Sequence, residues 1–391
     1  MTELDLARMT LIIGLVVAAF IYHRTRLVSG GLMTPAYLAL VISAGSWKDV
    51  LGWGILTLAS FLIFKLVTYL IALPKAWLLM ISIAISTILH GAIVLMTGGR
   101  GGHEPVTIGA FSLIISGGMY LTPGLTAFDL SRQGWLRTLG VVVAATVVTL
   151  GITLGVAAIG NLSGPAIPLS NPTSNVYTNY SLPIAMIVCV LLAEGVRIAF
   201  GWGSGGIIGA IFFVELLDVT SFIVIIVLVA ITAIVAHYAR RVLTMTPRQW
   251  FQFTMILGAV IAWMGLLVGS ALGIDAAKNV GAYALEPLLA VGLISTDVAR
   301  FGTRHTIYGK VIVLTGVILT NQLVQIGGFD SWIALVGLLF AVISIYIYAF
   351  REVRVGWRVA EDVGSRHPIV VNAKKPGATL RRQTRDRPRG A

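Results

Sequence analysis

The chain has 391 residues, 57% hydrophobic and 11% charged, with a mean hydropathy of +0.92 and a formal net charge of +12. A soluble domain cannot bury so large an apolar fraction, so this composition excludes one and defines a multi-pass membrane protein. Cys189, the single cysteine, lies in an apolar run, which excludes an intrachain disulfide and a cysteine-based metal cluster. It reads as a small buried hydrophobe.

Apolar stretches follow one another at 9–22, 27–46, 49–73, 76–97, 107–123, 135–160, 181–200, 203–217, 219–238, 249–272, 281–296, 308–325 and 332–350. Several reach the roughly 20 residues that cross a bilayer. Shorter Gly-rich ones, such as 203–217, read as broken, tilted or re-entrant segments, tolerated in lipid only where protein or water satisfies the backbone. The first stretch follows Glu3 and Asp5 and precedes Arg24 and Arg26, the reverse of a cleaved signal, and is expected to stay as a helix.

Gly124 to Gly134 (GLTAFDLSRQG) and Gly292 to Gly302 (GLISTDVARFG) repeat Gly, Leu, Asp, Arg and Gly at matching places. Ser29-Gly30-Gly31 and Ser204-Gly205-Gly206 precede the two copies in the same order. The pattern predicts an all-α polytopic protein of two repeats, each of about six helical or re-entrant segments, plus one further helix. The corresponding boundaries are 1–160, an external linker at 161–180, 181–325, an additional transmembrane helix at 326–350 and a basic tail at 351–391. Lys and Arg collect at Arg24/Arg26, Arg132/Arg137, Arg197, Arg240/Arg241/Arg248 and Arg300/Arg304/Lys310, and they favour the cytoplasmic side. Threading the chain through them places six crossings in each repeat and a thirteenth at 332–350. The N-terminus is then outside, the C-terminus is cytoplasmic, and the repeats are parallel about an axis along the membrane normal. The tail carries eleven Lys or Arg against four acidic residues. It reads as a topogenic arm attracted to anionic lipid, or as a dock for an acidic partner. It lacks the aromatic interleaving that nucleic-acid binding uses.

The chain has no phosphate-gripping GxxxxGK[ST] loop and no HExxH, GxSxG or CxxC motif. Gly98 to Pro105 (GGRGGHEP) reads as a flexible loop, so activation chemistry falls to another subunit. No cofactor or metal is implied. Ionisable groups at membrane depth cost a few kcal/mol unless paired or wet, so they are the first candidates for function. Asp129/Arg132 and Asp297/Arg300 each set opposite charges on one helical face at i,i+3, as a substrate site or as a helix-end clamp. Glu194 and Arg197 repeat that spacing. Lys65, His90, Glu215 and Glu286 stand singly, His90 reading as a packing histidine and Lys65 as a snorkelling side chain. The Ser-Gly-Gly segments are expected to break helices and leave backbone N–H groups free to face an anion, a carboxylate being the natural guest; close helix packing is the other reading. Thr122-Pro123-Gly124 is expected to make a further break.

Thr25 to Leu40 (TRLVSGGLMTPAYLAL), with Gly31, Leu32, Pro35 and Tyr37, resembles the Gly/Pro/Tyr segment near the start of the PgsC/CapC family, the small membrane subunit of bacterial poly-γ-glutamate synthase. Leu121 to Gly134 (LTPGLTAFDLSRQG) resembles that family's second signature, a Pro-Gly-Leu followed by a Gln-bearing basic turn. The resemblance covers about 8–155 and, more faintly, 181–325, which implies a tandem version. Pro35-Ala36-Tyr37 stands where the family has Pro-Gly-Tyr, and Gly209-Ala210-Ile211 has neither Pro nor Tyr. The resemblance implies a plasma-membrane capsule subunit, non-catalytic or co-catalytic, that assists a cytoplasmic ATP-dependent amide ligase (PgsB/CapB-like), alongside a PgsA/CapA-like subunit. It would hold the growing anionic polymer and pass it outward. The implied substrate-binding set is Ser29, Gly30, Gly31, Pro35, Tyr37, Thr122, Pro123, Gly124, Asp129 and Arg132, with Ser204, Gly205, Gly206, Asp297 and Arg300 from the second repeat. The working seam is expected mainly in the first. A secondary transporter of a carboxylated metabolite is the alternative, and a scaffold without a polar seam is a third class. From the cation count, a reporter fused after Ala391 is expected in the cytoplasm and one inserted between Asn161 and Tyr180 outside; accessibility labelling that puts both on one side would refute this topology.

Overall fold

Lipid offers no hydrogen bonds to backbone N–H and C=O groups, so a chain this apolar has to pair them within helices. The computed structural model describes residues 3–71, 75–96, 106–108, 111–113, 117–161, 181–204, 206–216, 219–283 and 285–326. The expected helix at 332–350, the basic tail, most of the linker at 161–180 and Gly205 lie outside them. The described order is α1 (Glu3–Thr25), α2 (Thr34–Ser43), α3 (Trp47–Leu70), α4 (Lys75–Met96), β1 (Val106–Ile108), β2 (Phe111–Leu113), α5 (Gly117–Gln133) and α6 (Trp135–Ile159). It continues with α7 (Ser181–Phe200), α8 (Ile207–Leu216), α9 (Val219–Val242), α10 (Pro247–Ala271), α11 (Asp275–Ala282), α12 (Glu286–Phe301) and α13 (Thr303–Ile326). The protein is an all-α polytopic membrane protein, and its one described departure is an antiparallel hairpin pairing Val106 with Leu113 and Ile108 with Phe111.

Among the described residues six helices (α1, α3, α6, α9, α10 and α13) are long and apolar enough to cross a membrane, or seven spans if α11 and α12, bent by 100°, count as one. Three of the six lie in each half, fewer than the six crossings expected there, and α2 and α8, of ten residues each, are too short to cross alone. At about 1.5 Å per residue, ten residues cover half of a hydrocarbon core. The stretch at 107–123 is divided between the hairpin and the start of α5.

The helices put small and polar residues inward and large apolar ones outward. In α6, Thr138, Ala145, Thr146, Thr149 and Thr153 are buried, while Val143, Val147 and Val148 are exposed. An inward threonine costs little when its hydroxyl returns to its own helix, as Thr149 does to the Ala145 carbonyl at 2.7 Å. The exposed valines form a lipid-facing surface, and small inward residues let backbones approach.

Two series of helices pack in one pattern. α1 lies on α2 and α6 as α7 lies on α8 and α13; α5 lies on α3 and α4 as α12 lies on α9 and α10. The series meet through α1 with α10 and α4 with α7. At the start of α1, Arg8 pairs with Asp5 at 3.3 Å and donates to the carbonyls of Tyr283, at 3.0 Å, and Gly281. Trp263 of α10 donates its indole N–H to Asp5 at 3.3 Å. At the other end of α1, Arg248 lies 4.3 Å over the Tyr22 ring and Gln249 contacts His23 at 3.0 Å.

Close approach fixes several glycines. A Cβ on Gly124 would lie 2.7 Å from the Ile83 Cα and the Ser82 carbonyl, and one on Gly292 would lie 2.9 Å from the Met255 carbonyl. The α5–α4 and α12–α10 crossings therefore have the same construction. Gly124→Val is expected to cost about 1–3 kcal/mol of overpacking. It should lower the melting temperature of the detergent-purified protein, while Gly151→Ala, at a site with nothing within 4 Å, should leave it unchanged.

Candidate functional site

The helices α1 and α7 end in loops, 28–33 and 203–206, that lead into α2 and α8, and these loops meet the last turns of α5 and α12 around one cavity of about 470 Å³. Each loop needs left-handed backbone: Gly30 and Gly31 have φ of 70° and 90°, and Gly206 has 75°. Gly31 faces Leu125, and Gly206 faces Leu293 in the corresponding way.

The broken backbone of the first loop is satisfied largely by α5. The Gln133 amide accepts from Val28 N–H at 2.8 Å and donates to the Val28 carbonyl at 3.3 Å. Thr126 reaches the Gly30 carbonyl at 3.4 Å, and Thr34 donates to the same oxygen. The N–H groups of Gly31 and Gly30 are directed to the Asp129 carboxylate, which is 5% exposed. The anion facing this break is thus the protein's own Asp129, not a free guest. Asp297 approaches the second loop at Gly203, where a Cβ would lie 2.8 Å from its Oδ2.

Of the sequence candidates, Ser29, Gly31, Asp129 and Arg132 line the cavity together with Ser204, Gly206, Asp297 and Arg300. Gly30 lies behind the lining against Thr126. Pro35 and Tyr37 are buried in the first turns of α2 and do not line the cavity. Thr122, Pro123 and Gly124 also lie outside the lining. No break occurs there: α5 runs through Pro123 without interruption, and Gly124 is the crossing point with α4. Gly205 falls outside the described residues. The second half supplies Glu194, Arg197, Arg248, Asp297 and Arg300 to the same cavity.

The electrostatics differ from paired clamps. The described ion pairs are Asp5–Arg8, Glu194–Arg197 and Asp275–Lys278. Asp129 and Arg132 do not pair within 4.0 Å. Arg132 instead lies 5.3 Å over Phe128, Arg300 lies 5.0 Å over Phe301, and Arg248 lies over Tyr22. Three cavity arginines from two helix series therefore each rest on an aromatic ring, and none is within ion-pair distance of a described carboxylate. A ring beneath a guanidinium orients it and leaves its edge donors available, the geometry that grips carboxylate or phosphate through two parallel bonds. Phe128 and Tyr22 were not singled out from the sequence, and Arg248 was named there only as one of the cations that set topology. Gln133 was discoverable, because it closes the first copy of the repeated phrase where Phe301 closes the second.

Two short helices inserted among membrane-crossing ones, and a cavity lined by arginines and carboxylates where their loops meet, define a multi-pass membrane protein with a charged central cavity. Residues 13–139, from α1 to the first turn of α6, match the family described as capsule biosynthesis CapC. That region, about a third of the chain, resembles the family, which supports a role in capsule synthesis and fits a bacterial membrane. No match is found among curated proteins or among solved structures.

Gln133→Ala removes both bonds to Val28, a loss of about 1–2 kcal/mol. Hydrogen exchange of the Val28 to Gly31 amides is expected to quicken roughly tenfold. Unchanged exchange would mean that α5 does not hold the loop.

Proposed function

We propose that this chain is the membrane subunit of a synthase for poly-γ-glutamate or a related γ-linked polyanion, and that its two helix series are parallel tandem copies of one unit sharing the central cavity. The supporting observation is the convergence of Arg132, Arg248 and Arg300, each ring-backed and unpaired among the described residues, on one cavity also lined by Ser29, Gly31, Ser204 and Gly206. A polymer with one carboxylate per residue offers such arginines successive partners, and no single partner need be held so tightly that the chain cannot advance. With the first loop satisfied by α5, recognition falls to these side chains. An ATP-dependent PgsB/CapB-like ligase on the cytoplasmic side would activate and join glutamate. This subunit, with a PgsA/CapA-like partner, would receive the product and pass it across the membrane. Membrane lipid is the remaining partner, and the C-terminal tail lies on the ligase's side.

The test is reconstitution with a cytoplasmic amide ligase. Wild-type protein should copurify with the ligase and support polymer formation, and the triple variant R132Q/R248Q/R300Q should lower polymer yield at least roughly tenfold at equal membrane abundance. Normal yield from that variant would remove the cavity from the mechanism. Ligase-independent uptake of labelled glutamate into proteoliposomes would instead identify a transporter.

A further inference from the structure

Beside the central cavity is a second pocket of about 460 Å³, between the α9–α10 connection and the last turns of α12. Arg240, Arg248 and Arg300 line it, together with Trp250 and the apolar side chains of Leu243 and Phe251. No Asp or Glu is in its described lining. Arg248 and Arg300 also line the central cavity, so the two spaces share a wall of two guanidiniums, with Asp297 on the far side of that wall. The Trp250 indole N–H is buried and has no hydrogen-bond partner among the described residues. The start of α10 is closed by its own capping box, Thr246 accepting from the Gln249 N–H at 3.4 Å while the Gln249 side chain accepts from the Thr246 N–H at 3.0 Å. Donors for a guest are therefore the side chains and not the helix end.

We propose that this pocket is a second anion site, distinct from the carboxylate cavity, that takes a phosphate group. A phosphate monoanion or dianion presents several acceptor oxygens around one centre, and three guanidinium forks supply donors from several directions. A lone carboxylate has two oxygens in one plane and would leave part of that set unused. The placement also suits phosphate. The pocket sits where α9 ends in Arg240 and Arg241 and α10 begins, a basic helix junction with a tryptophan beside it, the composition expected where helices meet lipid headgroups. The phosphate can come from an anionic phospholipid or from free phosphate. Because Arg248 and Arg300 serve both spaces, a phosphate here would orient the two arginines that face the carboxylate cavity.

The experiment uses the full chain in nanodiscs and follows tryptophan fluorescence with W250F as the assignment control. In one arm inorganic phosphate is titrated in phosphatidylcholine discs. In the other, phosphatidylglycerol is introduced stepwise, and lipid retained on the protein is counted by native mass spectrometry. Saturable binding is expected in at least one arm, and the responding arm identifies the source. R240Q should weaken it at least roughly tenfold, the value of a charge-assisted hydrogen bond. Equimolar glutamate at constant ionic strength should not displace the ligand. Arg240 and Trp250 do not line the central cavity, so R240Q should leave polymer formation measurable and keeps this test separate from that of the proposed function. The proposal is overturned if neither arm saturates, if R240Q and W250F bind like wild type, or if glutamate displaces phosphate one for one.

Discussion

A helix interrupted inside apolar surroundings must find partners for the backbone groups it exposes, and the end of α5 supplies most of them to the loop at residues 28–31. Gln133 takes both backbone groups of Val28, Thr126 reaches the Gly30 carbonyl, and Asp129 faces the N–H groups of Gly30 and Gly31. Each such group left unpartnered would cost on the order of several kcal/mol. The short α2, the left-handed glycines before it and the polar last turns of α5 are therefore one construction.

The cavity lies where this loop meets the one between α7 and α8. Loops 28–33 and 203–206 turn inward, α5 and α12 bring their last turns to them, and α1 against α10 closes the space between. The two sides are not equivalent chemically. Tyr22 and Arg197 stand near the ends of α1 and α7, Phe301 lines the cavity where Gln133 on the other side is turned to Val28, and Arg248 enters from α10.

Charge is distributed with the same logic. Arg8 is spent on structure, fastened to Asp5 and to the carbonyls where α11 gives way to α12. Of the cavity arginines, Arg197 pairs with Glu194, whereas Arg132, Arg248 and Arg300 rest on aromatic rings. Burying a guanidinium against carbonyls ties two helix series together; placing one over a ring at a cavity mouth leaves it available at modest desolvation cost.

Composition by itself determined that the protein lives in a membrane, because no soluble fold can hide so many apolar residues. Residue order determined where the breaks fall, because Ser29-Gly30-Gly31 and the shortness of 203–217 are local properties of backbone freedom and length. The repeated Asp/Arg phrase was legible too, as was the CapC-family region. Only the tertiary structure decided what those residues face. Asp129 and Arg132 share a helical face at i,i+3, yet the carboxylate turns to the Gly30 and Gly31 backbone and the guanidinium to Phe128, because both partners come from packing that spacing cannot express. Pro123 was read as a break, but α5 carries it in mid-helix. Arg248 and Tyr22, more than two hundred residues apart, meet because α1 packs on α10, a contact between helix series that no local pattern encodes.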